Sequence, residues 1–153
     1  MSLSNESTNF KSKQSTEILN CVYRNAQMAY ESSADVLKHC KDNRLTREIV
    51  AENRRYRSVA ARAKQELARR GAVAEQVSPY VKSMAKMGIA MKTARNPRSA
   101  NIARIMFRGT TAGIIDMQHT INRSHCAEPA IRESAERLLA REQEFCDNLK
   151  RYL

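Results

Sequence analysis

Two acidic side chains stand out by the company they keep. Glu52 recurs in helical register with Leu45, Ile49, Tyr56, Val59, Ala63 and Leu67, and Glu142 with Ile131, Ala135, Leu138, Phe145, Leu149 and Tyr152. Each carboxylate therefore lies on an otherwise apolar face, where it is costly unless it is paired, hydrogen-bonded or bound to a metal. Such a pair could hold iron or manganese, or line a polar pocket for a proton or small ligand. It could equally be neutralised by an Arg or by a hydroxyl of Tyr23, Tyr30 or Tyr56. Asp116 and His119 form a second candidate, because i, i+3 spacing puts a carboxylate and an imidazole on one helix surface as half of a metal site. His39 and His125 fall near helix ends and read as caps or surface groups. No nucleophile–base–acid set, phosphate-binding glycine loop or zinc spacing is present, so no catalytic residue is assigned.

The elements that must position these groups are helices. Ile18, Val22, Ala26, Ala29, Ser33, Val36 and Cys40 predict helix one over Thr16 to Cys40, and the Leu45–Leu67 pattern predicts helix two. Gly71 suits a left-handed C-terminal cap. Between Ser78-Pro79 and Asn96-Pro97 lies a short apolar piece with Tyr80, Met84, Met87 and Met91 on one face. Ile102, Ile105, Met106, Gly109, Ala112, Gly113, Met117 and Thr120 predict helix three, and Pro129 opens helix four. The chain returning over residues 72–97 must cover the ~37 Å length of a ~25-residue helix. An all-α, ferritin-like four-helix bundle with one long, partly helical crossover between helices two and three is expected. Residues 1–15 lack periodic apolar positions and are expected as a disordered tail ahead of a bundle domain over 16–153.

The composition agrees with a single helical domain: 153 residues, 42% hydrophobic, four Gly, three Pro and no Trp. No apolar run reaches the roughly 18 residues of a membrane span, and residues 1–15 contain no apolar export core, so a cytoplasmic location without membrane insertion is expected. Cys21, Cys40, Cys126 and Cys146 show no C-x-x-C spacing and read as reduced thiols. Gly109 and Gly113 make a small-xxx-small pattern, read as close helix approach or as backbone open to a cofactor or partner. The methionines, among them Met106 and Met117, read as adaptable core.

The stretches ILNCVYRNAQMA (Ile18 to Ala29), SMAKMGIAMK (Ser83 to Lys92), IARIMFRGTTAGIID (Ile102 to Asp116) and EFCDNLKRYL (Glu144 to Leu153) resemble small ferritin-like four-helix-bundle proteins of Gram-positive anaerobes. The resemblance implies the bundle fold and, since such relatives include spore-associated proteins, spore association. Ferritin-like di-iron enzymes draw one Glu from each of two helices and Glu-x-x-His from each of the other two. Here Glu52 is followed three positions on by Arg55 and Glu142 by Phe145, and no Glu-x-x-His occurs. The two acids could share a level, at which helices one and three offer Ala29 to Ser33 and Ile105 to Gly109.

Residues 44–108 hold 16 of the 27 basic side chains but only 4 of the 16 acidic ones, within a net charge of +11. Arg54, Arg55, Arg57 and Arg62 with Lys82 and Lys86 are the candidates for a polyanion-binding surface. Neither a recognition-helix motif nor an aromatic platform accompanies them, so no specific nucleic-acid contact is expected. The leading expectation is a non-enzymatic bundle in a structural or partner-binding role, homodimeric and without a resident cofactor. A metal-carboxylate protein using Glu52 and Glu142, with Asp116 and His119 contributing, is the alternative, and polyanion binding a further one.

Overall fold

The computed structural model describes residues 2–78, 82, 85, 86, 88–90, 92, 93 and 96–153. The expected face of Tyr80, Met84, Met87 and Met91 lies outside the described residues. Four long helices carry the fold: α1 (Ser2–Leu37), α2 (Asn43–Arg69), α3 (Ser99–Arg123) and α4 (Pro129–Leu149), the last running into a 3-10 turn over Lys150–Tyr152. Among the described residues there is no strand. Residues 82, 85, 86, 88–90, 92 and 93 of the crossover are helical.

Local chemistry fixes the helix ends. Asp42 caps α2 by accepting from the Arg44 and Leu45 amides at 2.9 and 2.8 Å, satisfying donors that the first turn leaves open. At the other end Gly71 adopts φ +67°, and the Gly71 and Ala72 amides return to the carbonyls of Ala68 and Leu67. Helix one begins at Ser2 rather than near Thr16, so the stretch expected as a disordered tail is helical. No Gly or Pro interrupts it, and the hydroxyls of Thr8, Ser15 and Thr16 donate to carbonyls four residues back. A helix held at its packed end propagates outward more easily than it nucleates. Residue 15 is no boundary either. Gln14 and Ser15 are buried and accept the amides of Cys126 and Glu128 at 2.7 and 2.9 Å, tying α1 to the α3–α4 turn.

Side-chain contacts give the helix directions. Asn25 meets Asp116 and Gln14 meets the Arg123 carbonyl, so α1 and α3 are antiparallel. Ile18 clusters with Ala135 and Leu139 and Val36 with Phe145 and Leu149, so α1 and α4 run together. Tyr56 meets Glu142, Arg70 meets Glu128 and Tyr152 meets Glu48, so α2 opposes α4. Helices α2 and α3 therefore run the same way, and the chain between them must travel back along the bundle. It does so beside α1, through Glu75 amide to Asn20, Gln76 to Tyr23 and Lys82 to Glu31.

The apolar core is split. Val36, Leu45, Ile49, Ile102, Met106, Phe145 and Leu149 fill one end. Ile18, Cys21, Met117, Ile121, Ala135 and Leu139 fill the other, with Leu19, Tyr23, Ala60, Ala63 and Leu67 between α1 and α2. Buried polar residues from all four helices lie between these ends: Ser33, Glu52, Thr110 and Glu142.

Candidate functional site: a buried carboxylate layer beside a cavity

The helical step that gives α2 its apolar face also places Glu52 and Tyr56 one turn apart on it, and α4 presents Glu142 opposite. Glu52 is 7% exposed and Glu142 6%. One guanidinium nitrogen of Arg55 donates to both oxygens of Glu52, at 2.6 and 2.7 Å. The Tyr56 hydroxyl donates to Glu142 Oε2 at 3.0 Å, while Glu142 Oε1 is buried and has no hydrogen-bond partner among the described residues. Next to this layer Asn53 donates to the Tyr30 carbonyl and to the Ser33 hydroxyl, both at 2.9 Å, which locks α1 to α2.

Electrostatics follow from the burial. Loss of water pushes the Glu142 carboxyl up to about 7, against the lowering influence of the Tyr56 hydroxyl, and the charge of Glu52 adds to the rise. Burial also raises Glu52, with Arg55 opposing it. The Tyr56 phenol is pushed up by burial and by the charges of Glu142 and Glu52, so it stays a proton donor. The layer thus holds one ion pair and one acid poised near neutrality.

Of the residues singled out in the sequence, Glu52 and Glu142 lie in one layer, close enough for the charge of Glu52 to act on Glu142, at a level the sequence left open to them. Asp116 and His119 do not join them. Both are exposed, and Asp116 instead accepts from Asn25 Nδ2 at 2.8 Å and from the Cys21 thiol at 3.4 Å. Asp116 lies six residues beyond Thr110 on α3, ~9 Å along the helix at 1.5 Å per residue. Among the described residues no group of three His, Cys, Asp or Glu side chains could hold a metal ion. The four cysteines are free thiols.

The basic candidates separate in the same way. Arg54, Arg57 and Arg62 are exposed on the outer face of α2 and, among the described residues, have no ion-pair partner. Arg55 turns inward to Glu52, and Lys82 pairs with Glu31 at 3.0 Å. Lys86 is exposed on the crossover.

A cavity of about 840 Å³ adjoins the carboxylate layer, bounded by α1, α3 and the crossover, with Tyr56, Thr110 and Glu142 among its lining. A polar pocket at Glu52 and Glu142 was one of the readings the sequence offered, but not a cavity of this extent along α3. The signal available was Gly109 and Gly113, and the two turn out to differ. A Cβ on Gly113 would come within 3.2 Å of Asn25 Oδ1, so Gly113 permits close approach of α1. Among the described residues a Cβ on Gly109 would meet nothing within 4 Å; that glycine is exposed and borders the cavity.

No protein-family model matches the chain, and neither a curated protein nor a solved structure shows significant similarity to it.

Proposed function

We propose that this chain is a non-enzymatic, ferritin-like four-helix bundle that acts as a binding module and uses no di-iron chemistry. The observation that carries the reading is the Arg55–Glu52 pair. Arg55 stands three residues after the acid, where ferritin-like di-iron proteins place an imidazole ligand. A fixed cation at that point repels a metal ion and already neutralises one of the two carboxylates. The parallel course of α2 and α3, with a crossover between them, supports the ferritin-like label.

The test is metal content by elemental mass spectrometry after loading with Fe(II) or Mn(II), with melting temperature followed in parallel. Well below one metal per chain and an unchanged melting temperature are expected, since a ligand of the native state must stabilise it. One or two metals per chain, lost in a Glu52→Ala/Glu142→Ala variant, would replace this reading with a metal-carboxylate one. A homodimer in the cytoplasm completes the proposal, and a monomer by light scattering at tens of micromolar would remove the dimer.

A second reading rests on the exposed outer arginines Arg54, Arg57 and Arg62, which among the described residues have no ion-pair partner. They would attract polyanions by charge alone. Titration with duplex and single-stranded nucleic acid should show association at low salt that vanishes at physiological salt. Binding that survives with a sequence or structure preference would promote the surface to a specific interface.

A further inference from the structure

We propose that the cavity between α1, α3 and the crossover binds a single-chain amphiphile, its anionic head held by Lys92, Arg104 and Arg108 and its apolar tail lying along the glycine face of α3 toward Tyr56 and Glu142. The inference rests on the binding-module reading but not on the loss of metal chemistry.

Size and wall chemistry come first. About 840 Å³ falls within the roughly 300–1,000 Å³ of small-molecule pockets. Ala26, Ala29, Val36, Ile89, Ile105 and Met106 supply apolar walls. On α3 the lining extends from Asn101 to Met117, ~24 Å along the helix at 1.5 Å per residue, which suits an elongated guest. Glycine inside a helix is destabilising relative to alanine, yet Gly109 and Gly88 both border this space, and among the described residues nothing lies within 4 Å of an added Cβ on either. Their missing side chains widen a channel rather than admit a neighbouring helix.

Charge gives the cavity a direction. Lys92, Arg104 and Arg108 line it, are exposed, and among the described residues have no ion-pair partner. Arg104 and Arg108 are one helical turn apart on the same side of α3, and Asn101 Nδ2 donates to the Lys92 carbonyl at 3.1 Å, which brings the crossover cation to the start of that helix. The inner boundary is the opposite in character. Glu142 lines it, 6% exposed and with Oε1 unpartnered among the described residues, and Glu52 stands behind. An anion is attracted at the mouth and disfavoured within, so a guest carrying one anionic head enters tail first. A cationic head would meet repulsion at the mouth.

The experiment titrates the full chain with monomeric dodecanoate, 1-dodecanol and dodecyltrimethylammonium by calorimetry. Dodecanoate is expected to bind one per chain and at least tenfold more tightly than either of the other two. An Arg104→Ala/Arg108→Ala variant should lose at least tenfold in dodecanoate affinity while binding dodecanol within twofold of the parent. Gly109→Leu should abolish binding of both and melt no lower than the parent, because its side chain enters open space. Dodecyltrimethylammonium bound as tightly as dodecanoate, dodecanoate affinity unchanged in either variant, or no saturable dodecanoate binding would each overturn the proposal. Should Gly109→Leu fail to fold, the two exposed arginines still decide the matter. Metal content is read separately, so stoichiometric iron would defeat the earlier reading and leave the dodecanoate result standing on its own.

Discussion

Glu142 ties the protein's stability to pH. Its carboxyl is raised to about 7 in the folded state from an ordinary value of 4.5. An acid shifted upward stabilises the fold at low pH and loses that contribution as pH climbs through the interval between the two values. At roughly 1.4 kcal/mol per unit, up to about 3 kcal/mol should disappear between about pH 4.5 and 7. Glu52 acts in the same direction. The acids held low by partners, Glu31, Asp42 and Glu128, change stability below that window. Urea unfolding across the range should show the decline in the parent and a flatter profile in Glu142→Gln, which keeps an acceptor for Tyr56. Identical profiles for the two would contradict the buried-acid description. Arg55 makes a related prediction, because removing one partner of a buried pair strands the other charge. Arg55→Leu should destabilise by roughly 2–4 kcal/mol at pH 8, and Glu52→Gln in the same chain should recover most of that loss. A single-variant cost under about 0.5 kcal/mol would place Glu52 in water.

Among the elements, α1 contains the largest departure from what periodicity implied. A stripe of Ile18, Val22, Ala26 and Val36 is visible to anyone stepping by three and four, and so are the acids at Glu52 and Glu142 and the glycine that ends α2. The seven-residue surroundings of Gln14 and Ser15 carry no such signal, since their burial arises from amides at Cys126 and Glu128 that approach only in the folded chain. Likewise Arg55 is legible as i, i+3 to Glu52, whereas the cavity depends on how far α1 stands from α3, a spacing that no single helix encodes. The two halves of this N-terminal stretch should respond differently to deletion. Removing residues 2–13, all exposed, should shift the melting temperature little. Ser15→Ala should cost about 0.5–2 kcal/mol, the range of a lost helix cap, because Oγ accepts the Glu128 amide where α4 begins. Equal effects from both changes would show that α1 docks along its whole length.

For the molecule as a whole, polar layer, cavity and charge are arranged around one helix. α1 touches α2, α3, α4 and the crossover, and it also borders the cavity. The all-helical character and the long connection between α2 and α3 were legible because charge and hydropathy mark helices well and because residues 72–97 are too many for a tight turn. What fills the middle was not, since a split core looks continuous when each helix is viewed alone. Among the described residues no helix is long and apolar enough to cross a membrane. Arg70 binds the Glu128 carboxylate with both terminal nitrogens at 2.7 Å, joining the end of α2 to the start of α4. Arg70→Ala should cost about 1 kcal/mol in denaturant unfolding, a partly exposed but two-pronged contact, and no measurable change would mean the helix ends are held by apolar packing alone.

The contacts made by Gln14 and Ser15 also set an order of events during synthesis. They join positions 112 and 113 residues apart in the chain. The α1–α2 hairpin can pair as soon as both helices leave the ribosome, but the opposite flank of α1 waits for nearly the whole polypeptide. Until then its oily side is uncovered, and the nascent chain is at its most prone to association in that interval. Closing a loop of this length costs entropy before the contact rewards it, which places the contact after the folding transition state, so losing the Ser15 hydroxyl should hasten unfolding while leaving the refolding rate nearly untouched.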